Sequence, residues 1–288
     1  MNIQTFSIVA GNEACNARCP FCVAGMTPSM TYAKSRPKIN WRNFDIAAKL
    51  AKQNGATTAM ITGKGEPTLF PNQISEYLSQ LRKHDFPIIE LQTNALLFER
   101  PEYKSHLENW YDLGLSLIAI STVDVEKEKN KAVYTPHKEY MNLDATITKL
   151  HSIGYSTRLA MVMTRGNVET VTDIKRVISY AKRNDIAQLT VRPVTKPKGS
   201  RNDSISDWIS EQCVPESQIT EITDYLEANG TRLRELTHGG IVYDVDGQNI
   251  CLTNCLTNKP EEDKMRQLIF FPDGKISYDW QYEGARIL

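Results

Sequence analysis

From Ile3 to Val194, short strand-like apolar runs alternate six times with helical patterns, and this alternation restricts the fold more than any other feature of the chain. Parallel strands need crossover connections, usually helical, so the pattern predicts βαβ units around a parallel sheet. The strand runs are Ile3–Ala10, Thr58–Thr62, Ile88–Gln92, Leu115–Thr122, Ser156–Met163 and Gln188–Val194. Between them, apolar residues recur at helical spacing. Phe44, Ala47, Ala48 and Ala51 follow a candidate N-cap at Asn40, and the sets Ile74/Tyr77/Leu78/Leu81, Leu143/Ile147/Leu150 and Val171/Ile174/Ile178/Ala181 repeat the pattern. From about Lys196 the alternation stops. Pro193, Pro197, Gly199 and Ser200 mark a linker, and one helix is predicted over Ile219–Ala228. Short strands follow around Ile241–Tyr243, Gln267–Phe271 and Lys275–Tyr278, with turn pairs at Asp246-Gly247 and Asp273-Gly274. The reading is an α/β domain over 1–195 and a small α+β cap over 196–288.

Directly after the first strand run comes Cys15-Asn16-Ala17-Arg18-Cys19-Pro20-Phe21-Cys22, three cysteines in C-x3-C-x2-C spacing. One loop can aim three thiolates at one centre, so the spacing reads as a chelating pattern. A structural zinc site wants four protein ligands, and no His follows until His84. An iron–sulfur cubane held by three cysteines instead leaves one iron open to another ligand. A disulfide, a zinc knuckle and buried thiols are the alternatives.

C-x3-C-x2-C with an aromatic before the last cysteine resembles the signature of the radical S-adenosylmethionine (radical SAM) superfamily. The resemblance covers roughly residues 3–195 and implies a partial (β/α)6 barrel of TIM type. It implies that Cys15, Cys19 and Cys22 hold a [4Fe-4S] cluster whose open iron chelates S-adenosylmethionine, with Phe21 near the adenine. Gly63-Lys64-Gly65-Glu66 ends the second strand run and is similar to the family's Gly-Gly-Glu segment, with Lys64 where a small residue is usual. On that likeness Gly63, Gly65 and Glu66 receive the methionine amino group. By itself a Gly-x-Gly at a strand end is equally a plain turn.

Three further positions carry over. Asn94 stands at the third strand end, where the family often reads Thr-Asn-Gly beside the ribose, here with Ala95 as the third residue. Ser121, in Ile118-Ala119-Ile120-Ser121, resembles a Ser presented to the cofactor, and Asp124 follows it. Both residue types also cap helices routinely. Arg158 lies inside the apolar fifth strand run, where an unpaired guanidinium is costly, so it needs an anionic partner. The resemblance makes that partner the methionine carboxylate, and a structural ion pair to a neighbouring strand is the alternative. Arg192, in the sixth run, invites the same argument.

The implied activity is reductive cleavage of S-adenosylmethionine to a 5′-deoxyadenosyl radical that abstracts hydrogen from a substrate, with an electron donor such as flavodoxin or ferredoxin. Within the superfamily the nearest likeness is to the molybdenum-cofactor GTP 3′,8-cyclase branch, through Cys22-Val-Ala-Gly-Met-Thr-Pro28 and Met161-Val-Met-Thr-Arg-Gly-Asn167. The chain ends Tyr282-Glu-Gly-Ala-Arg-Ile-Leu288, without the glycine-rich tail of those cyclases, so both a nucleotide-like small molecule and a peptide stand as substrate classes. Cys251 and Cys255, with Cys213 or Asp279, resemble the site of a second cluster in relatives, and buried thiols are the other reading. A non-catalytic electron carrier or a zinc-stabilised binding module would use three cysteines too. Neither needs glycines, Glu, Asn, Ser and Arg at successive strand ends.

Composition adds exclusions. Lys plus Arg equal Asp plus Glu at 34 each, so no global field calls for nucleic acid or an anionic membrane, and Lys196, Lys198 and Arg201 are at most a local anion cradle. The N-terminus lacks a basic n-region and a long apolar h-region, and nowhere do eighteen apolar residues run together. With 288 residues and no dense disulfide framework, the expectation is a cytoplasmic protein in a reducing compartment.

Overall fold

The computed structural model describes residues 1–30, 38–198, 200, 202–236, 239–253 and 263–288. Cys255, Gly199 and Arg201 lie outside the described residues. The elements run in order β1 (Asn2–Val9), α1 (Val23–Met26), α2 (Trp41–Gln53), β2 (Thr58–Thr62), α3 (Pro71–Leu81), β3 (Ile88–Thr93), α4 (Tyr103–Asp112), β4 (Leu117–Thr122), α5 (Lys127–Tyr134), α6 (Leu143–Ile153) and β5 (Ser156–Met163). They continue with α7 (Val171–Arg183), β6 (Gln188–Pro193), α8 (Asp203–Gln212), α9 (Glu216–Asn229), β7 (Thr231–Glu235), β8 (Ile241–Val245), β9 (Gln248–Leu252), β10 (Lys264–Phe270) and β11 (Ile276–Ser277).

β1 to β6 pair side by side and all parallel, which is the open α/β barrel that the alternation predicts. Helix starts follow local chemistry. Asn40 accepts from Asn43 N at the head of α2, Asn142 caps α6, and Thr170 with Asp173 forms a reciprocal box at α7. The outward faces of the strands bury Phe6, Ile61, Leu91, Ile118, Leu159 and Leu189 against Phe44, Tyr77, Leu107, Ile147 and Ile178 of the helices. The inward faces carry Gln4, Met60, Thr62, Gln92, Arg158 and Arg192 around a cavity, so the barrel interior is left lined rather than filled.

The C-terminal strands join this same sheet at both edges. β10 lies parallel to β1, with Ile3 opposite Met265 and Ile8 opposite Phe270, and β11 follows it antiparallel across the Asp273-Gly274 turn. On the other edge β9 lies parallel to β6, and β8 and β7 add antiparallel beyond it. The sheet order is β11-β10-β1-β2-β3-β4-β5-β6-β9-β8-β7. At the β8–β9 turn, Asp246 (φ 53°) and Gly247 (φ 82°) both take the left-handed conformation that a tight hairpin requires. No helix among the described residues is long and apolar enough to cross a membrane.

Candidate active site

The cysteine loop emerges from the carboxyl end of β1 and is anchored from two sides. On one side Glu66 N donates to Ala14 O (2.9 Å), and a Cβ built on Gly65 would meet that carbonyl oxygen at 2.0 Å. The close approach that needs glycine here is therefore to the cysteine loop's own backbone. On the other side, the residues after α5 hold the loop: Arg18 N donates to Tyr134 O (3.0 Å), His137 N to Asn16 O (2.9 Å) and Thr135 Oγ1 to Arg18 O (2.7 Å). Nothing local in Tyr134–His137 announces this role in the sequence.

Cys15, Cys19 and Cys22 are half-buried, free of disulfides, and line one cavity of about 490 Å³. The same cavity is lined by Phe21, Gly63, Gly65, Glu66, Asn94 and Ser121, so the expected residues at the ends of β1 to β4 do converge. Burial, with charge on Cys22 adding to it, pushes the Cys15 thiol up to about 11 and the Cys19 thiol higher still. Metal coordination would deprotonate such thiols. Among the described residues no group of three His, Cys, Asp or Glu closes on a single ion. A cubane takes its three cysteines on three different irons, so the donor set fits such a cluster.

Glu66 is 3% exposed and acts as a latch between strand ends. Its Oε1 accepts from Thr68 N (3.0 Å), Thr68 Oγ1 (2.6 Å) and Thr93 Oγ1 (2.6 Å), and Oε2 accepts from Asn94 N (3.0 Å). Burial pushes this carboxyl up, with the four hydrogen bonds pulling against the shift. Asn94 carries the connection on to the cysteine loop, because its Nδ2 donates to Asn16 Oδ1 at 2.7 Å. Lys64 is nearly buried, and its ammonium bonds to Thr27 Oγ1, Pro28 O (3.0 Å) and Ala24 O (3.4 Å), pinning the chain just after α1. Phe21 packs edge-on against Tyr134 (5.7 Å) and near Trp208 of α8 (6.1 Å). That helix, unread in the sequence, thus forms part of the cavity's surroundings.

Two residues flagged at strand positions are engaged elsewhere. Arg158 bonds through Nη2 to Glu90 of β3, a structural ion pair made across β4 and not to a neighbouring strand, and it lines a second, inner cavity and not the cysteine cavity. Asp124 is fully buried and accepts Arg176 Nη1 and Nη2 (2.7 and 2.8 Å) and Lys129 (3.3 Å). Cys213 ends α8 and packs beside Met26, Val194 and Ile209, whereas Cys251 is buried in β9 and faces the inner cavity. Arg192, on β6, lines both cavities.

Comparison with known proteins decides the family. A model described as the radical SAM superfamily matches residues 11–184, more than half of the chain. The chain belongs to the radical SAM superfamily. The family implies a [4Fe-4S] cluster and S-adenosylmethionine. No curated protein matches the sequence. Among solved structures, the radical SAM fold here is similar to anSMEcpe with bound AdoMet (TM-score 0.63, 14% identity, 99% of this chain and 77% of that one). It is also similar to Streptococcus suis SuiB bound to the precursor peptide SuiA (TM-score 0.59, 14% identity, 96% and 59%). A third similar fold is methylornithine synthase, PylB (TM-score 0.55, 14% identity, 90% and 74%). The chain spans about 59% of the length of SuiB.

Proposed function

We propose that Cys15, Cys19 and Cys22 hold the [4Fe-4S] cluster, and that the 490 Å³ cavity beside them receives S-adenosylmethionine. The observation that carries this reading is the convergence of the three thiols with Glu66, Asn94 and Ser121, from four separate strand ends, on one cavity. Glu66 is buried among neutral donors without a cation, so a ligand ammonium offers the compensating charge that its surroundings lack. Gly63 and Gly65 line the cavity beside it, with Gly65 seated on the Ala14 carbonyl, and Ser121 adds a hydroxyl at the end of β4. Phe21, held by Tyr134 and Trp208, offers an apolar edge for a base. When bound, cluster and S-adenosylmethionine supply the reductive cleavage that yields a 5′-deoxyadenosyl radical able to abstract hydrogen. The chain's own residues bind and orient that cofactor. The substrate is a nucleotide-like small molecule or a peptide, and a flavodoxin- or ferredoxin-type donor provides the electron.

The test is anaerobic reconstitution with iron and sulfide, followed by incubation with S-adenosylmethionine and dithionite. The wild-type chain is expected to release 5′-deoxyadenosine, and Cys22→Ala to lose both the product and most of the brown absorbance. Retained turnover in Cys22→Ala would sink the ligand assignment.

A further inference from the structure

Next to the cysteine cavity lies a larger one of about 700 Å³, inside the curl of the sheet where strands from both edges come to face one another. Lys64, Arg158, Arg192, Arg234 and Arg266 line it, and no Asp or Glu is among the described residues that do so. In a chain whose acidic and basic residues balance at 34 each, this is a strong local segregation of charge.

The basic groups converge from different strands. Burial pushes the Cys251 thiol up, and Arg192, Arg158 and Arg266 all pull against it, so three guanidiniums lie within Coulomb reach of one sulfur on β9. Arg158 is neutralised by Glu90. The Arg192 side chain has no ion pair or hydrogen bond to any described residue, and its Nε is buried without a partner. A buried guanidinium donor without an acceptor is unfavourable in the empty protein and becomes favourable when an anion fills the space. Thr62, Gly63, Lys64, Gln92 and Arg192 line both cavities, so whatever binds here lies against the cofactor cavity. The volume falls in the range of small-ligand sites.

We propose that this inner cavity is the substrate site and that it selects a small molecule bearing a carboxylate or phosphate, anchored by Arg192 with Arg234 at the rim. The inference rests on the radical SAM reading of the neighbouring cavity and supplies its substrate class. Arg192, at the junction, would hold the anionic group while the remainder of the molecule extends toward the cysteine loop. Salt should weaken binding that depends on such charges.

The experiment is calorimetric titration of the reconstituted holoenzyme, saturated with S-adenosylmethionine and without reductant, using sodium pyrophosphate in one arm and citrate in the other. Saturable binding of at least one anion is expected; pyrophosphate alone would assign a phosphate group and citrate alone a carboxylate. Arg192→Gln should weaken that binding about tenfold or more, the loss of one charge-assisted hydrogen bond. Should Arg192→Gln fail to fold, Arg234→Gln at the exposed rim gives a second reading, with a loss of about threefold. The proposal is overturned if neither anion saturates, if the folded Arg variants bind as the parent does, or if binding is seen only without S-adenosylmethionine, which would make Arg192 a cofactor-carboxylate residue. Release of 5′-deoxyadenosine by the wild-type enzyme is scored separately, so failure of anion binding and failure of the cofactor reading are told apart.

Discussion

Two buried carboxylates follow neighbouring parts of the same sheet and have opposite surroundings. Glu66, after β2, is 3% exposed and is met only by hydroxyls and backbone N–H groups, and burial holds its carboxyl above the usual range. Asp124, after β4, is fully buried too. The Arg176 fork, Lys129 and the N–H groups of Val125 and Glu126 meet it, and against burial these partners hold its carboxyl below the usual range. The difference is one of destination. Asp124 faces the helices and is neutralised within the protein, so it is part of the scaffold. Glu66 faces the cysteine cavity with its charge uncompensated, so it can still respond to a cationic ligand.

The comparison breaks most readily at Arg176. Arg176→Met leaves Asp124 buried with only Lys129 as a cation, and removing one partner of a buried pair costs about 3–5 kcal/mol. The guanidinium is partly exposed, so thermal unfolding should show a loss nearer the lower figure, while iron bound per folded chain stays unchanged. The acid limb of stability should move as well. A depressed carboxyl contributes stability above the ordinary aspartate value of 3.8 and loses it as pH falls through the folded value. Asp124→Asn should therefore flatten the acid side of the unfolding profile. Glu66 works in the other direction: its contribution is present below the ordinary value of 4.5 and is lost as pH rises through its folded value.

Gly65→Ala comes next. Its new Cβ would collide with the Ala14 carbonyl, which is backbone and cannot swing aside, so overpacking should cost about 1–3 kcal/mol. The cysteine loop should shift and reconstituted iron fall, and normal iron content in a folded Gly65→Ala chain would show that the loop docks elsewhere.

Glu66→Gln sharpens the contrast. An amide turns donors toward Asn94 N or the Thr hydroxyls, a loss of about 1–3 kcal/mol, and it removes the charge facing the cavity. S-adenosylmethionine affinity, measured by equilibrium dialysis, should drop here and remain intact in Arg176→Met. If the two variants behave alike, the distinction between latch and scaffold is lost. The smallest effect is expected from Thr93→Val, which removes a hydroxyl that donates to Glu66 and accepts from Ala95 N, and should cost about 1–2 kcal/mol in chemical denaturation.

Much of this was legible along the chain. Thr58–Thr62 and Ser156–Met163 have the bounds that their β-branched and apolar runs predict, and α2 starts behind Asn40 as its cap chemistry requires. The C-x3-C-x2-C loop and the residues at four strand ends fall around one cavity, because parallel strands bring their carboxyl ends to the same side whatever lies between them. The Asp246-Gly247 and Asp273-Gly274 turns were equally local, set by residues that tolerate positive φ.

Tertiary structure decided what depends on partners distant in sequence. An acid after a strand reads the same at Glu66 and Asp124, and only the approach of α7, bringing Arg176 to Asp124 and none to Glu66, separates their roles. Arg158 shows the same limit: its need for an anion was visible in the sequence, but the choice of Glu90 depends on two strands being folded to face each other across β4. Strand pairing of β9 with β6 and of β10 with β1 has no signal within either segment, because a short strand's hydrogen-bonding edge fits many partners and chain topology selects one. That selection brings Arg266 on β10 and Cys251 on β9 to the cavity lined by Arg192, a cluster of charge that exists only once the sheet has curled.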